Sequence, residues 1–99
     1  MVKRGDIVLV SLDPVLGSEQ GKTRPAIVIQ HDALNKTSNT TIVVPITSKI
    51  YEKEYPMHVQ IYQNDIKGTI KVEQIRSIDM KRIVKIIDNI DNKTLLKIG

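Results

Sequence analysis

The chain has no cysteine, no phenylalanine and no tryptophan, and its three tyrosines are its only aromatic residues besides two histidines. Without cysteine there is no disulfide, no thiolate nucleophile and no Cys-type zinc site, which fits a reducing compartment. Without Phe and Trp the core has to be assembled from aliphatic side chains. The abundant ones are Ile and Val, whose branched Cβ favours pleated sheet. Long apolar runs are missing too. No stretch approaches the roughly 18 apolar residues of a membrane span, and "MVKRGD" is not followed by a signal-peptide core. The expectation is therefore a cytoplasmic protein with no membrane partner. Its 99 residues leave room for one domain, 1–99, and 40% hydrophobic with 26% charged residues is the composition of a chain that folds. A net charge of +4 weakly favours an anionic partner such as nucleic acid.

What is present reads as a succession of strands. "DIVLVSL", 6–12, is apolar on both faces and is closed by the turn-starting "DP". A polar loop, 13–23, carries Pro14, Gly17 and Gly21 and runs into "PAIVIQ", where Pro25 is tolerable at a strand start or edge. "HDALNKTSN" reads as a polar connection. "TTIVVPITS" is a third strand that should bend or lie at an edge at Pro45. "SKIYEKEYP" is a charged loop, and "MHVQIY" alternates Met57, Val59 and Ile61 against polar positions as a half-buried strand does. "NDIKG" is a turn. "TIKVEQIRSID" changes phase between Val72 and Ile75, which calls for a bulge or a short helical turn near Gln74. Val84 to Ile87 is open between strand and helix, and Asp91 is placed to cap a closing helix in "NKTLLKI".

Few classes of chemistry fit the polar residues. His31 and His58 share no metal-ligand spacing with each other or with an acidic cluster, so no metal and no cofactor is expected. "GSEQGK" lacks the G-x-x-x-x-G-K-[ST] pattern and a following helix, which removes a phosphate-binding P-loop. What remains is cationic and hydroxyl-bearing: Arg24 at the mouth of the second strand, Thr47 and Ser48 at the end of the third, and "KVEQIR" near the fifth. A guanidinium is a planar fork of donors matched to phosphate, and a Thr or Ser hydroxyl adds a neutral donor to the same group. Equally, such an arginine pairs with a nearby carboxylate such as Glu19 in many surface loops.

The order of three motifs, "KRGDIVLVSLDPVLGSEQGKTRPAIVIQ", "TTIVVPITS" and "VEQIRSIDMKRI", resembles the MazF/PemK family of toxin endoribonucleases from toxin–antitoxin systems. That resemblance implies a mainly β fold, a small SH3-like β-barrel with short helices shared with the CcdB toxins, and a homodimer. It implies metal-independent cleavage of single-stranded RNA and neutralisation by a cognate antitoxin. By position, the catalytic arginine and threonine of the family fall on Arg24 and Thr47. Glu19, Gln20 and Lys22 fall in the loop that contacts RNA, with Ser48, Gln74 and Arg76 as further RNA-binding positions and Glu19 or Glu73 as the group that moves a proton. The family also implies a longer C-terminal helix than "NKTLLKI". Two other classes compete: a non-enzymatic toxin on the same barrel, as with the CcdB gyrase inhibitors, and a barrel that only binds nucleic acid or protein. "RPA" and "PITS" favour the enzyme.

Overall fold

The computed structural model describes residues 1–11, 23–51 and 55–98. Within them run seven strands: β1 (Asp6–Ser11), β2 (Thr23–Val28), β3 (Thr40–Thr47), β4 (His58–Gln63), β5 (Ile66–Lys71), β6 (Arg76–Asp79) and β7 (Ile83–Asn89). Two short helices, α1 (Asp32–Thr37) and α2 (Asn92–Ile98), and two 3₁₀ turns, Val72–Gln74 and Met80–Arg82, complete the set. All strand pairs are antiparallel, in the order β4-β5-β3-β2-β1-β7, with β6 also paired to β3. The fold is mainly β, as the composition predicts.

Although β4 and β7 end this order, they come close in space. The Gln63 side chain donates to the Asn89 carbonyl at 2.6 Å, and the Asn64 amide donates to Asp88 at 2.6 Å. The sheet therefore curls into a half-barrel whose last seam is joined by side chains. Burial of aliphatic residues on both faces drives the curl. One face holds Val8, Val10, Ala26, Val28, Val43 and Ile78, and the other holds Ile7, Ile27, Val44, Ile46, Ile61 and Ile70. Each fully buried Val or Ile contributes roughly 1.5–3 kcal/mol of transfer free energy. β1 shows the both-sided burial expected of "DIVLVSL", with Ile7, Val8 and Val10 fully enclosed.

Four expectations need correction. "DALNKT" is a helix capped by His31, because tertiary bonds hold what six residues with no apolar stripe would not hold alone. His31 Nδ1 accepts from Ala33 N at 3.1 Å, and Asp32 accepts from Arg4 N at 2.6 Å. Inside, the Asn35 amide donates to Gln30 O, while Asn35 Oδ1 accepts from Gln30 Nε2 and from Thr41 Oγ1 at 2.7 Å. Met57 precedes β4 and is 49% exposed, so only Val59 and Ile61 carry the apolar face of that strand. The turn in "NDIKG" is confined to Asn64 and Asp65, with Asn64 at φ 53°, and β5 already begins at Ile66. His58, at one of the polar positions of the "MHVQIY" alternation, is half-buried rather than turned to solvent. The two open alternatives resolve as a 3₁₀ turn at Val72–Gln74 and a strand, β7, across Val84 to Ile87. Asp91 caps α2 as expected, accepting from Thr94 N at 2.7 Å, and Leu95 and Ile98 pack on the core.

Candidate functional site

Two prolines shape the region around Arg24. The β2–β3 ladder runs through Val28↔Val43, Ile27↔Val44 and Ala26↔Pro45. Because Ile29 N donates to Ile42 O, the odd residues of β2 direct their backbone groups at β3. Continued one step, that register gives Pro25 a bond to donate to Ile46, and proline has no N–H to make it. Within β3 the even residues face β2, so Pro45 turns its missing donor to the opposite edge. There β6 pairing stops at Val43 and β5 pairing starts at Ile46. Both edges of β3 therefore lose a bond at the same level.

At that level lies a pocket of about 360 Å³ lined by Pro25, Ala26, Val43 and Pro45, with the polar side chains of Arg24, Gln74 and Arg76. Arg76 reaches it because β6 pairs Arg76 with Val43, and Gln74 because the 3₁₀ turn breaks the strand just before. Arg24 also borders a second depression of about 260 Å³ with Thr23, Ser48, Asp65 and Lys67. The Arg24 side chain is exposed and has no hydrogen bond or ion pair among the described residues, while its backbone pairs with Val10 of β1. Continuing the β2–β3 register two residues past Ala26↔Pro45 sets Arg24 opposite Thr47 and on the same face, since strand side chains alternate.

Neighbouring backbone holds Thr47 closely. It pairs with Thr69 of β5, whose buried hydroxyl donates to Lys49 O at 2.9 Å. A Cβ on Gly68 would lie 2.0 Å from Thr47 O, so glycine is what permits β5 to run this close. The Thr47 hydroxyl accepts from Lys49 N at 3.3 Å, which leaves its proton free to donate elsewhere.

Of the sequence-predicted residues, the structure brings Arg24 together with Gln74 and Arg76, and Arg24 with Ser48. Glu73 lies apart from both depressions. Its Oε1 meets His58 Nε2 at 3.0 Å, with Lys71 Nζ at 3.9 Å. Desolvation pushes the Glu73 carboxyl up, but its own backbone N–H, the His58 bond and the Lys71 charge outweigh that and leave it below the ordinary value. Glu19, Gln20 and Lys22 lie outside the described residues. Lys67 was not singled out by sequence; its position depends on β5 reaching the end of β3, which no local pattern signals. Among the described residues no three His, Asp or Glu side chains form a metal-ligating group, and no helix is long and apolar enough to cross a membrane.

Known proteins with this fold have been solved. A MazF crystal structure from Deinococcus radiodurans superimposes with a TM-score of 0.80 at 26% identity, covering 98% of this chain and 88% of that one. In the MazE–MazF structure (Form-II) from the same organism the match has a TM-score of 0.83 at 26% identity, covering 98% and 87%. A mycobacterial endoribonuclease in complex with its cognate antitoxin matches in fold, with a TM-score of 0.80 at 17% identity over 99% and 87% of the two chains. Residues 3–99 match the family described as PemK-like, MazF-like toxin of type II toxin–antitoxin systems, and the chain belongs to that family.

Proposed function

We propose that the protein is a metal-independent endoribonuclease that cuts single-stranded RNA at a short sequence motif and is held inactive by a cognate antitoxin in the cytoplasm. The observation that carries this reading is the exposed Arg24 fork, without an ion pair among the described residues, in a pocket with Arg76 and Gln74; the β2–β3 register, continued past Ala26↔Pro45, sets it opposite Thr47. Two guanidinium groups and an amide converging on a proline-walled depression form an anion site suited to a phosphodiester.

In the mechanism, the substrate's 2′-hydroxyl attacks the adjacent phosphorus. The 2′-O–P bond forms as the bond from phosphorus to the leaving 5′-oxygen breaks, giving a 2′,3′-cyclic phosphate on one fragment and a 5′-hydroxyl on the other. Arg24 holds the non-bridging oxygens and stabilises the charge that grows on them, and Thr47 donates a further hydrogen bond. A guanidinium carries donors and no acceptor, so Arg24 does not act as the base. With Glu73 bonded to His58, the proton of the 2′-hydroxyl passes to Glu19 or to water and is returned to the leaving oxygen. The active form is a homodimer, for which the exposed Val84 and Ile86 of the edge strand β7 offer apolar surface.

The test is incubation with long single-stranded RNA in excess EDTA, with fragment ends mapped by primer extension and their chemistry determined. Cuts at one recurring motif, ending in cyclic phosphate, are the expected result. A matching oligonucleotide with deoxyribose at the cut position should be bound but left intact; its cleavage would rule out attack by the 2′-hydroxyl. Intact RNA from a well-folded dimer would transfer the reading to the non-enzymatic toxin class.

A further inference from the structure

A second cavity, of about 400 Å³, shares no residue with the Arg24 pocket and differs from it in chemistry. Tyr51, Tyr55 and His58 form its aromatic wall. The Tyr51 and His58 ring centroids are 4.6 Å apart, Tyr55 and His58 4.9 Å, and Tyr51 and Tyr55 5.6 Å at 80°. Cations surround these rings. Lys49 Nζ is 4.8 Å and Lys71 Nζ 5.9 Å from the Tyr51 centroid, and Lys97 of α2 lines the opening. Exposed Gln60 adds an amide with both donors and an acceptor. His58 Nδ1 is buried in this wall with no hydrogen-bond partner among the described residues. These three rings are also all the tyrosine and histidine that the fold gathers in one place, in a chain with no other aromatic but Tyr62 and His31.

We infer that the Tyr51–Tyr55–His58 cavity is a nucleobase subsite, which takes one unpaired base of a single-stranded nucleic acid by stacking while Lys49, Lys71 and Lys97 neutralise its flanking phosphates. An aromatic wall ringed by lysines fits a flat ring joined to an anion, and single strands are held in just this combination. A volume near 400 Å³ lies within the range of small-ligand sites. The position suits the same strand that meets Arg24. Thr69, which lines this cavity, pairs with Thr47, and Glu73, bonded to His58, directly precedes Gln74 of the Arg24 pocket. The inference rests on the proposed action on RNA, and base choice is the function it adds.

Its test needs no cleavage. Short deoxyribose oligonucleotides of each of the four bases, and an abasic one of equal length, are titrated at low salt and read by quenching of tyrosine fluorescence and by anisotropy. At least one base series should bind. The Tyr51→Ala/Tyr55→Ala protein should bind it about fivefold to 150-fold more weakly, the range expected for losing one stacked base. The Tyr51→Phe/Tyr55→Phe protein should keep the affinity, and circular dichroism checks that each variant folds. The inference fails if no base series binds, if the abasic strand binds as tightly as the best base-bearing one, or if the alanine pair has no effect. Cleavage of RNA by the same preparations separates the two readings. Base-independent binding with cutting intact sinks the subsite alone, and base-dependent binding without cutting sinks the nuclease alone.

Discussion

Arg24, the second residue of β2, has no carboxylate bonded to it among the described residues, whereas Glu73 has His58 at 3.0 Å and Lys71 at 3.9 Å. Both are charged residues in motifs of equal prominence in the sequence. The cation has no ion pair among the described residues, at a level where two prolines have thinned the sheet. The carboxylate is neutralised from within, and its bond to His58 ties β4 to the 3₁₀ turn. Val72 N, donating to Met57 O at 2.9 Å, makes a second tie beside it. Under the proposed function the contrast separates a group that meets substrate from one that holds shape, and it is the partner of each residue, not its type, that tells them apart.

The sharpest way to break this contrast is Arg24→Ala. Because Arg24 is exposed and has no side-chain partner among the described residues, its loss should leave thermal stability within experimental error and lower kcat about 10²- to 10³-fold, as removal of a transition-state donor does. Single-turnover cleavage beside a thermal melt reads both, and a large drop in Tm with little change in rate would move Arg24 to the structural side. Next in size is Gly68→Ala. Its new methyl would meet Thr47 O at 2.0 Å, so β5 has to shift, at about 1–3 kcal/mol of stability by urea unfolding. Cleavage should fall further than that loss of folded protein explains, because the shift carries Thr47 with it.

The smallest effect is expected from Glu73→Gln, with cleavage at neutral pH within about threefold of the parent, whereas removal of a general base costs 10²-fold or more. A loss of that larger size would mean that Glu73 leaves His58 to accept the proton. Glu73 also leaves a mark on stability. Its folded-state pKa lies below the ordinary 4.5, so its contribution is present above that value and is lost as pH falls through the folded one. Unfolding curves taken from neutral pH downward should therefore show the parent losing more stability than the Gln variant below about pH 4.5.

Much of this arrangement was legible in the chain. The all-aliphatic alternation marked the strands, and "RPA" and "PITS" hold the two prolines at which the β2–β3 ladder ends. What escaped depended on contacts distant in sequence. α1 was hidden because its support is a buried amide network rather than an apolar stripe, and "HDALNKT" on its own reads as loop. The partnership of His58 with Glu73 spans 15 residues and exists only because β4 and β5 pair in one register, His58 against Lys71. Lys67 beside Arg24 needed the same tertiary information.

The Gln30–Asn35–Thr41 cluster stands at the far end of β2 and β3 from Arg24 and Thr47. If β3 slipped by one residue against β2, Thr41 would turn to the other face and its hydroxyl would lose the bond it donates to Asn35 Oδ1, at roughly 1–3 kcal/mol for a buried group left unpaired. That slip would also turn Thr47 away from Arg24. The two faults are one event, so neutral groups sealed in the interior proofread the alignment of a charged site at the opposite end of the ladder, and a chain that satisfies the first has already set the second.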